Sequence, residues 1–263
     1  MNTGIKKLDE LLGELDPGQL VLVGASPSTG KSSFAHNVVM RNVLGMVPDG
    51  KKHKVGLYST GVDEESVCKR LLTAYLEDRA FKPRLKKIDR RDEAAQAEYV
   101  ERVLDAMEAF QDGQFCLIGD DGLCIDDMCE EIPEFVREGG EMVIIDDTQR
   151  LRTQTLMRSD HDRQGYIVEE LVRTAKECQI PIILLANVWL GNDTQESNPS
   201  LRHFDFLNPW DLARADTVVL INRRREPVEE DVVPLNFHLL KHPTRPLGKV
   251  EVPFARKIYK LLD

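Results

Sequence analysis

The sequence predicts an α/β domain whose central sheet is mostly parallel, with helices flanking the sheet and an antiparallel hairpin at its C-terminal edge. Two observations lead to this prediction. Strand-length runs of valine, isoleucine and leucine alternate with stretches of helical periodicity, which is typical of parallel sheets buried on both faces. Near the C-terminus, two strand-like segments instead follow each other across the short turn TRPLG, which favours an antiparallel pair.

The strand-like runs set the expected order of elements. They lie at 19–25, 54–59, 115–119, 141–146, 181–186, 216–222 and 236–240. The segments between them are expected to be helices; in GYIVEELVRTAKECQ, Ile167, Leu171, Val172 and Ala175 form one apolar stripe. The sequence contains no internal repeat, low-complexity tract or flexible linker. We therefore expect residues 1–263 to form a single domain.

The composition is that of an ordinary globular protein, and it predicts a cytoplasmic location. Hydrophobic residues make up 41% of the chain, no run approaches the roughly 18 apolar residues of a membrane span, and no signal-peptide pattern opens the sequence. The five cysteines form no CxxC pair, which favours reduced thiols. The net charge of −10 argues against a protein that coats nucleic acid through a basic face. This charge does not exclude binding of nucleic acid through a local basic loop. The basic cluster at 78–91 is either such a loop or a solvated surface segment.

The segment LVLVGASPSTGKSSFAHNVV predicts a phosphate-binding site. A buried strand runs into a loop of small residues and then a helix, so backbone amides at the helix N-terminus can surround phosphate oxygens. Gly30 allows the backbone to approach closely, Lys31 would neutralise the β- and γ-phosphates, and the Ser32 hydroxyl would bind Mg²⁺. The first glycine of the usual motif falls at Ala25, but a simple tight turn would not explain the lysine. The predicted nucleotide-binding residues are Ser28, Thr29, Gly30, Lys31, Ser32 and Ser33.

Two further strand ends place polar side chains at the same edge of the sheet. In EMVIIDD, Asp146 follows four apolar residues and could hold the magnesium ion through water. Asp147 should then point to the opposite face, because side chains alternate along a strand. Asn187 follows the run at 181–186 and could sense the γ-phosphate, or could simply begin a loop. The predicted ligands are ATP and Mg²⁺, with Ser32 and Asp146 on the metal.

Taken together, these segments resemble the motor domain of DnaB-type replicative DNA helicases, which has a RecA-like P-loop fold. The resemblance spans nearly the whole chain and is carried by TGIKKLDELLGELDPGQLVLVGA, ASPSTGKS, IIDDTQRL, ARADTVVLINR and HLLKHPTRPLGKVEV. It implies an ATP-hydrolysing subunit of a six-membered ring that acts on single-stranded DNA in replication. The roles it implies are nucleotide and Mg²⁺ ligands (Lys31, Ser32, Asp146), polar sensors (Gln149, Asn187) and the lysine of a hairpin that reaches a neighbouring subunit's nucleotide (Lys241).

The chain departs from this family at three places. Gly61 stands where the family has a glutamate that positions the attacking water, Pro243 stands where it has an arginine finger, and FLNPWD replaces a DNA-contacting loop that carries an arginine. Losing such a glutamate typically slows turnover about 10²–10⁴-fold, and losing the finger slows it roughly 10³–10⁵-fold. The chain is also expected to lack the family's N-terminal domain and linker helix.

Nearby residues could replace the missing groups. Arg245 could serve as the finger, and Glu64, Asp63 or Glu65 could position the water. Alternatively, these acids serve only the first turn of a helix, with Thr60 and Asp63 forming a capping box.

Two functions therefore compete. In the first, the chain is an ATP-driven helicase or translocase that grips DNA phosphates through arginines after Asp146: Arg150, Arg152, Arg158 and Arg163. These could instead be surface arginines on a mobile loop. In the second, a catalytically impaired helicase-like domain binds nucleotide but serves as a regulator, loader or structural partner of a replisome protein. A RecA/RadA- or KaiC-like ATPase is a third alternative, since it shares the opening segment and the P-loop.

Overall fold

The computed structural model describes residues 1–77, 93–111, 115–120, 122–188, 209–223 and 231–262. The strands in these ranges are β1 (Leu20–Ala25), β2 (Val55–Ser59), β3 (Phe115–Gly119), β4 (Met142–Asp146), β5 (Ile182–Asn187), β6 (Thr217–Asn222), β7 (Val232–Lys241), β8 (Gly248–Ala255) and β9 (Lys260–Leu261). The helices are α1 (Lys6–Leu12), α2 (Lys31–Val43), α3 (Glu64–Leu76), α4 (Glu93–Gln111), α5 (Ile125–Arg137), α6 (Asp160–Cys178) and α7 (Pro209–Arg214).

The described strands form one sheet in the order β3-β2-β4-β5-β1-β6-β7-β8-β9. Pairing is parallel from β3 to β6 and antiparallel from β6 to β9. The predicted fold, a mostly parallel sheet with an antiparallel hairpin at the C-terminal edge, is therefore confirmed. Each of the seven runs read from the sequence overlaps one of these strands.

The sheet is buried on both faces, which explains why its strands read as continuous apolar runs. In β1, Val21 and Val23 belong to the core that includes residues of α1, α2 and α3. The alternate residues Leu20 and Leu22 belong to the opposite core, formed with α5 and α6. The same alternation holds in β4, β5 and β6, so the central strands are covered by helices on both sides.

The C-terminal strands differ from the prediction in length. β7 begins at Val232 rather than 236, and it alternates, with Val232 exposed and Val233 and Leu235 buried. Pro234 of β7 lies opposite Pro253 of β8. Because proline lacks the N–H of a normal ladder, the residues around Pro234 were not predicted to belong to the strand. The basic cluster at 78–91 and the first residues of FLNPWD, 206–208, lie outside the described residues.

The sheet order positions one edge for ligand binding. Registered partners are Ser59 with Asp146, Asp146 with Leu185, and Ala25 with Asn187. The carboxyl ends of β2, β4, β5 and β1 therefore lie side by side, as expected for ligand sites of open α/β sheets.

The buried strand that leads into the phosphate loop should be sensitive to truncation. We expect Leu22→Ala, at a side chain that is 0% exposed, to lower the free energy of unfolding by about 2–5 kcal/mol, since it leaves a cavity in a packed core. Urea denaturation followed by circular dichroism measures this. The matched control is Leu156→Ala, at a side chain that is 97% exposed; equal effects of the two changes would contradict the assigned core.

Candidate functional site

The phosphate loop connects β1 to α2 with a backbone suited to anions. Gly30 is the N-cap of α2 and has φ 127°, and Ser28 has φ 62°, so both lie in the left-handed region. A Cβ added at position 30 would also be tight, since it would lie 3.0 Å from a methyl carbon of Leu235. Because the Gly30 N-cap has no side chain, the first amides of α2 are left for a negatively charged ligand.

Lys31 is the centre of the site. Its side chain is 7% exposed, and its Nζ lies 2.8 Å from Asp146 Oδ1 and 3.1 Å from Asp147 Oδ2. Burial raises the pKa of Asp146, but the Lys31 charge and hydrogen bonds from Lys31 and Ser32 outweigh it, and the net pKa is lowered. The structure therefore brings together the three residues predicted to bind nucleotide and metal, Lys31, Ser32 and Asp146.

The orientation of Asp147 corrects the sequence-based expectation. It was expected to face away from Asp146, yet its Oδ2 accepts from Lys31 Nζ and, at 2.9 Å, from Asn187 Nδ2, and its Oδ1 accepts from the Gln149 amide at 3.1 Å. The reason is that β4 ends at Asp146. Beyond the last strand residue the chain turns into a short 3-10 segment, Thr148–Arg150, and strand alternation no longer applies.

Gln149 and Asn187, the predicted polar sensors, contact each other. Gln149 Nε2 donates to the Asn187 carbonyl at 3.0 Å, and the Asn187 amide donates to Gln149 Oε1 at 3.1 Å. The Gln149 carboxamide thus replaces a strand partner at the end of β5. The Asn187 side chain contacts Asp147, so both residues belong to the network around Lys31.

Thr60 and His36 belong to this region but were not identified from the sequence as parts of the site. The Thr60 hydroxyl accepts from the Asp147 amide at 2.9 Å, and its backbone amide donates to the Asp146 carbonyl at 2.7 Å, which joins the ends of β2 and β4. His36 lies on α2 and is 2% exposed, and its Nδ1 has no hydrogen-bond partner. Burial lowers its pKa to about 4, although the charge of Asp146 acts in the opposite direction.

The acids at the start of α3 are directed away from Lys31. Asp63 is the N-cap and accepts from the Ser66 amide at 2.9 Å, so the expected capping box with Thr60 is wrong. Glu65 pairs with Lys69. Glu64 accepts a weak hydrogen bond from the Gly119 amide, at 3.4 Å, at the end of β3. Strand β3 is separated from β4 by β2, which corresponds to about 10 Å. The structure does not bring Glu64 to the ion pair.

The Arg150 side chain lies beside Gly61. An added Cβ at Gly61 would come within 3.1 Å of the Arg150 Cζ and Nη1 atoms. A side chain at position 61 would therefore require the Arg150 guanidinium to shift.

The two hairpin cations, Lys241 and Arg245, contact their own chain. Lys241 Nζ donates to the carbonyls of Leu212, Ala213 and Ala215 at the C-terminus of α7, and burial lowers its pKa despite the opposing charge of Asp216. Arg245 Nη1 donates to the Glu10 carbonyl at 3.2 Å near the end of α1. Both positions suit cations, because helix C-termini carry partial negative charge. Within the chain, neither cation lies at the phosphate loop.

The four arginines predicted to contact DNA lie in different surroundings. Arg150, Arg152 and Arg163 line a cavity of about 560 Å³ beside the exposed Leu156; Arg158 is not part of its lining. Arg163 is only 18% exposed and pairs with Asp160 at 2.7 Å. Its guanidinium also donates to the carbonyls of Thr148, Gln149 and Leu151. Arg163 therefore holds the segment after β4 in place, which corrects its expected role as an open phosphate contact.

The residues present fit a magnesium ion that shares its ligands with a nucleotide. Mg²⁺ typically takes one or two protein oxygens and completes its shell with phosphates and waters. The Asp146 carboxylate and the Ser32 hydroxyl, which helps to lower the pKa of Asp146, provide such a pair. Within the described ranges, no group of three or more His, Cys, Asp or Glu side chains could hold a metal by itself.

The fold and the site together define a class: a RecA-like P-loop ATPase domain. Two solved structures match it with a TM-score of 0.80. One is described as an ATPase domain, at 18% identity over 99% of this chain and 90% of that one. The other is a DnaB-like replicative helicase described with its interactions with primase, at 20% identity over 99% and 61%. The RadB recombinase matches with a TM-score of 0.61 at 18% identity, covering 100% of this chain and 99% of that one.

The chain belongs to the family of DnaB-like helicase C-terminal domains, whose model matches residues 1–263. Among curated proteins it is 26% identical to the replicative DNA helicase DnaB of Leifsonia xyli, over 99% of the chain and 55% of that protein. It is 23% identical to the replicative DNA helicase DnaC of Bacillus subtilis, over 99% of the chain and 56% of that protein. The chain thus spans about half the length of these relatives. In the part that the structure describes, no helix could cross a membrane.

The buried His36 should make stability depend on pH. Its pKa is lowered from 6.5 to about 4 in the folded protein, so the unfolded chain binds a proton more readily as the pH falls. The contribution of the neutral His36 side chain to the free energy of unfolding is fully present above about pH 6.5. It should decrease by about 2–3 kcal/mol at pH 4.5. We expect His36→Leu to remove this part of the pH dependence, measured by urea unfolding from pH 7.5 to 4.5. His161→Leu, at an exposed position on α6, is the control; an unchanged slope in His36→Leu would refute the assignment.

Proposed function

We propose that this chain binds Mg·ATP at the loop between β1 and α2 and acts as an ATP-driven motor domain on single-stranded DNA in replication. The observation that carries the proposal is the buried ammonium of Lys31, held by Asp146 and Asp147 at the carboxyl edge of the sheet. A triphosphate would replace these carboxylates as the partner of the ammonium. Membership in the DnaB-like helicase family supports the same function.

The site residues have separate roles in this proposal. The amides from Ser28 to Ser33 surround phosphate oxygens, and Lys31 neutralises the β- and γ-phosphates. Ser32 and Asp146 orient the metal side of the nucleotide. Bound Mg²⁺ would neutralise negative charge on the phosphates as the terminal one is transferred. Asn187, fixed by Gln149, provides an amide close to the terminal phosphate.

The proposed assembly is a homo-oligomeric ring with the DNA in its channel. Relatives named as replicative DNA helicases support this. Arg150 and Arg152 face the cavity after β4, where side chains of a ring could reach phosphates of the DNA backbone. Arg158, on the same segment, would add a further contact.

A second candidate is a nucleotide-binding regulator, loader or structural partner with little turnover. Specific observations favour it: Gly61 has no side chain, and Lys241 and Arg245 are engaged with helix ends of their own chain. Turnover of ATP with and without single-stranded DNA, measured together with nucleotide binding and mass in solution, separates the two candidates.

Removal of the P-loop lysine should abolish nucleotide binding. We expect Lys31→Ala to weaken Mg·ATP affinity at least 100-fold in calorimetry, because the phosphates lose their buried cation; Lys51→Ala, at an exposed lysine, should bind like the parent. Lys31→Ala removes the cationic partner of Asp146 and Asp147, which destabilises the fold. Ser32→Ala therefore provides a second measurement. It should keep the fold and lose most of the Mg²⁺ dependence of binding. Unchanged affinity in a folded Lys31→Ala variant contradicts the proposed site.

Single-stranded DNA binding should depend on arginines after β4. We expect Arg152→Ala and Arg158→Ala each to weaken binding of a fluorescent oligonucleotide at about 50 mM salt and to reduce the slope of log affinity against log salt by roughly 0.7, one phosphate contact each. The control is Arg173→Ala, which removes an exposed arginine on α6 paired with Glu170 and Glu177. Equal losses in all three variants would mean that net charge alone governs binding.

A further inference from the structure

We propose that Asp147 is the carboxylate that orients the attacking water during ATP hydrolysis, an inference that rests on the proposed Mg·ATP site. Asp147 contacts Lys31 at 3.1 Å, so its carboxylate lies beside the ammonium that would bind the phosphates. Its side chain is 18% exposed, against 9% for Asp146. Asp147 is thus the more open of the two acids and the one that a water molecule can reach.

The Asp147 carboxylate is fixed by neutral donors as well as by the lysine. Oδ2 accepts from Asn187 Nδ2 at 2.9 Å, and Oδ1 accepts from the Gln149 amide at 3.1 Å. The backbone is held too, because the Asp147 amide donates to the Thr60 hydroxyl at 2.9 Å. When phosphates take over the Lys31 ammonium, these contacts remain and keep the carboxylate in place.

The released carboxylate has capacity left for a water molecule. An ionised carboxylate offers about four acceptor positions, and the amides of Asn187 and Gln149 use two of them. A third, freed by Lys31, points to the place that the ammonium leaves. In the proposed site, a water held there would lie on the side of Asp147 that faces Lys31 and the phosphates bound to it.

Competing acids at this edge are engaged elsewhere in the described structure. Asp63 caps α3, Glu65 pairs with Lys69, and Glu64 is directed to Gly119. Asp146 is the more buried of the two acids that pair with Lys31, and with Ser32 it is the proposed metal ligand. Gly61 has no side chain, and the Arg150 guanidinium lies over it.

The step is an in-line displacement. The oxygen of water forms a bond to the γ-phosphorus while the bond from that phosphorus to the β,γ-bridging oxygen breaks, and its electron pair leaves with ADP. One proton of the water stays on the released phosphate and the other goes to solvent. Asp147 accepts a hydrogen bond from the water and directs the oxygen lone pair to phosphorus; Lys31 neutralises the charge on the phosphate oxygens.

The test uses Asp147→Asn in the full chain, with Asp49→Asn as the control because that exposed aspartate contacts His53 far from the loop. Three quantities are measured: affinity for Mg·ATP by calorimetry, the hydrolysis rate with single-stranded DNA, and the affinity for ADP with and without aluminium fluoride. The fluoride complex mimics the transferring phosphate with its attacking water. We expect Asp147→Asn to bind Mg·ATP within about threefold of the parent, to hydrolyse it at least about 100-fold more slowly, and to lose the tighter binding that aluminium fluoride gives.

Several results would overturn the inference. They are undiminished hydrolysis in Asp147→Asn, a loss of turnover in Glu64→Gln instead, or a tenfold weaker Mg²⁺ affinity of the Asp147→Asn nucleotide complex, which would make Asp147 a metal ligand. A parent protein that binds Mg·ATP without hydrolysis would also overturn it, while the nucleotide site would stand. A parent that binds no Mg·ATP would refute the proposed function itself.

Discussion

The buried ion pair of Lys31 with Asp146 and Asp147 is the interaction on which the rest of the site depends. An ammonium that is 7% exposed is tolerated only with charged partners, since an unpaired buried charge is strongly destabilising. The partners are available because β1 and β4 are parallel and both end at the same edge of the sheet. The pair therefore links the phosphate loop to β4 and prepares a cation for an anionic ligand, whose phosphates can replace the carboxylates as its partners.

The segment after β4 connects this ion pair to the arginine-lined cavity. Asp147 contacts Lys31, Gln149 contacts Asn187, and Arg163 donates to carbonyls of the same segment. Within the stretch from Asp147 to Asp160, Asp147 belongs to the hydrogen-bond network around Lys31. Arg150 and Arg152 of the same stretch line the cavity. A nucleotide and a second anionic ligand would meet the same short stretch of backbone.

In the proposed function, nucleotide binding and turnover would depend on different residues. The loop, the lysine and Asp146 provide the groups that a triphosphate with magnesium requires. The groups that would accelerate hydrolysis are arranged differently from the pattern that the sequence resembles: position 61 is a glycine with the Arg150 guanidinium beside it, and the hairpin cations donate to carbonyls at the ends of α1 and α7.

The strands of the sheet, their largely parallel arrangement, the phosphate loop and the family could be predicted from the amino-acid sequence, because these features depend on local signals. Apolar runs report burial on both faces, and a lysine after glycine at the start of a helix has a specific chemical use. The direction of the Asp147 side chain, the capping of α3 by Asp63, and the contacts of Arg163, Lys241 and Arg245 with backbone carbonyls could not be predicted and are seen only in the folded chain. Each of those outcomes depends on where the chain turns after a strand or helix ends and on partners distant in sequence. Periodicity carries no information about such contacts, since long polar side chains choose partners by distance and burial in the folded chain.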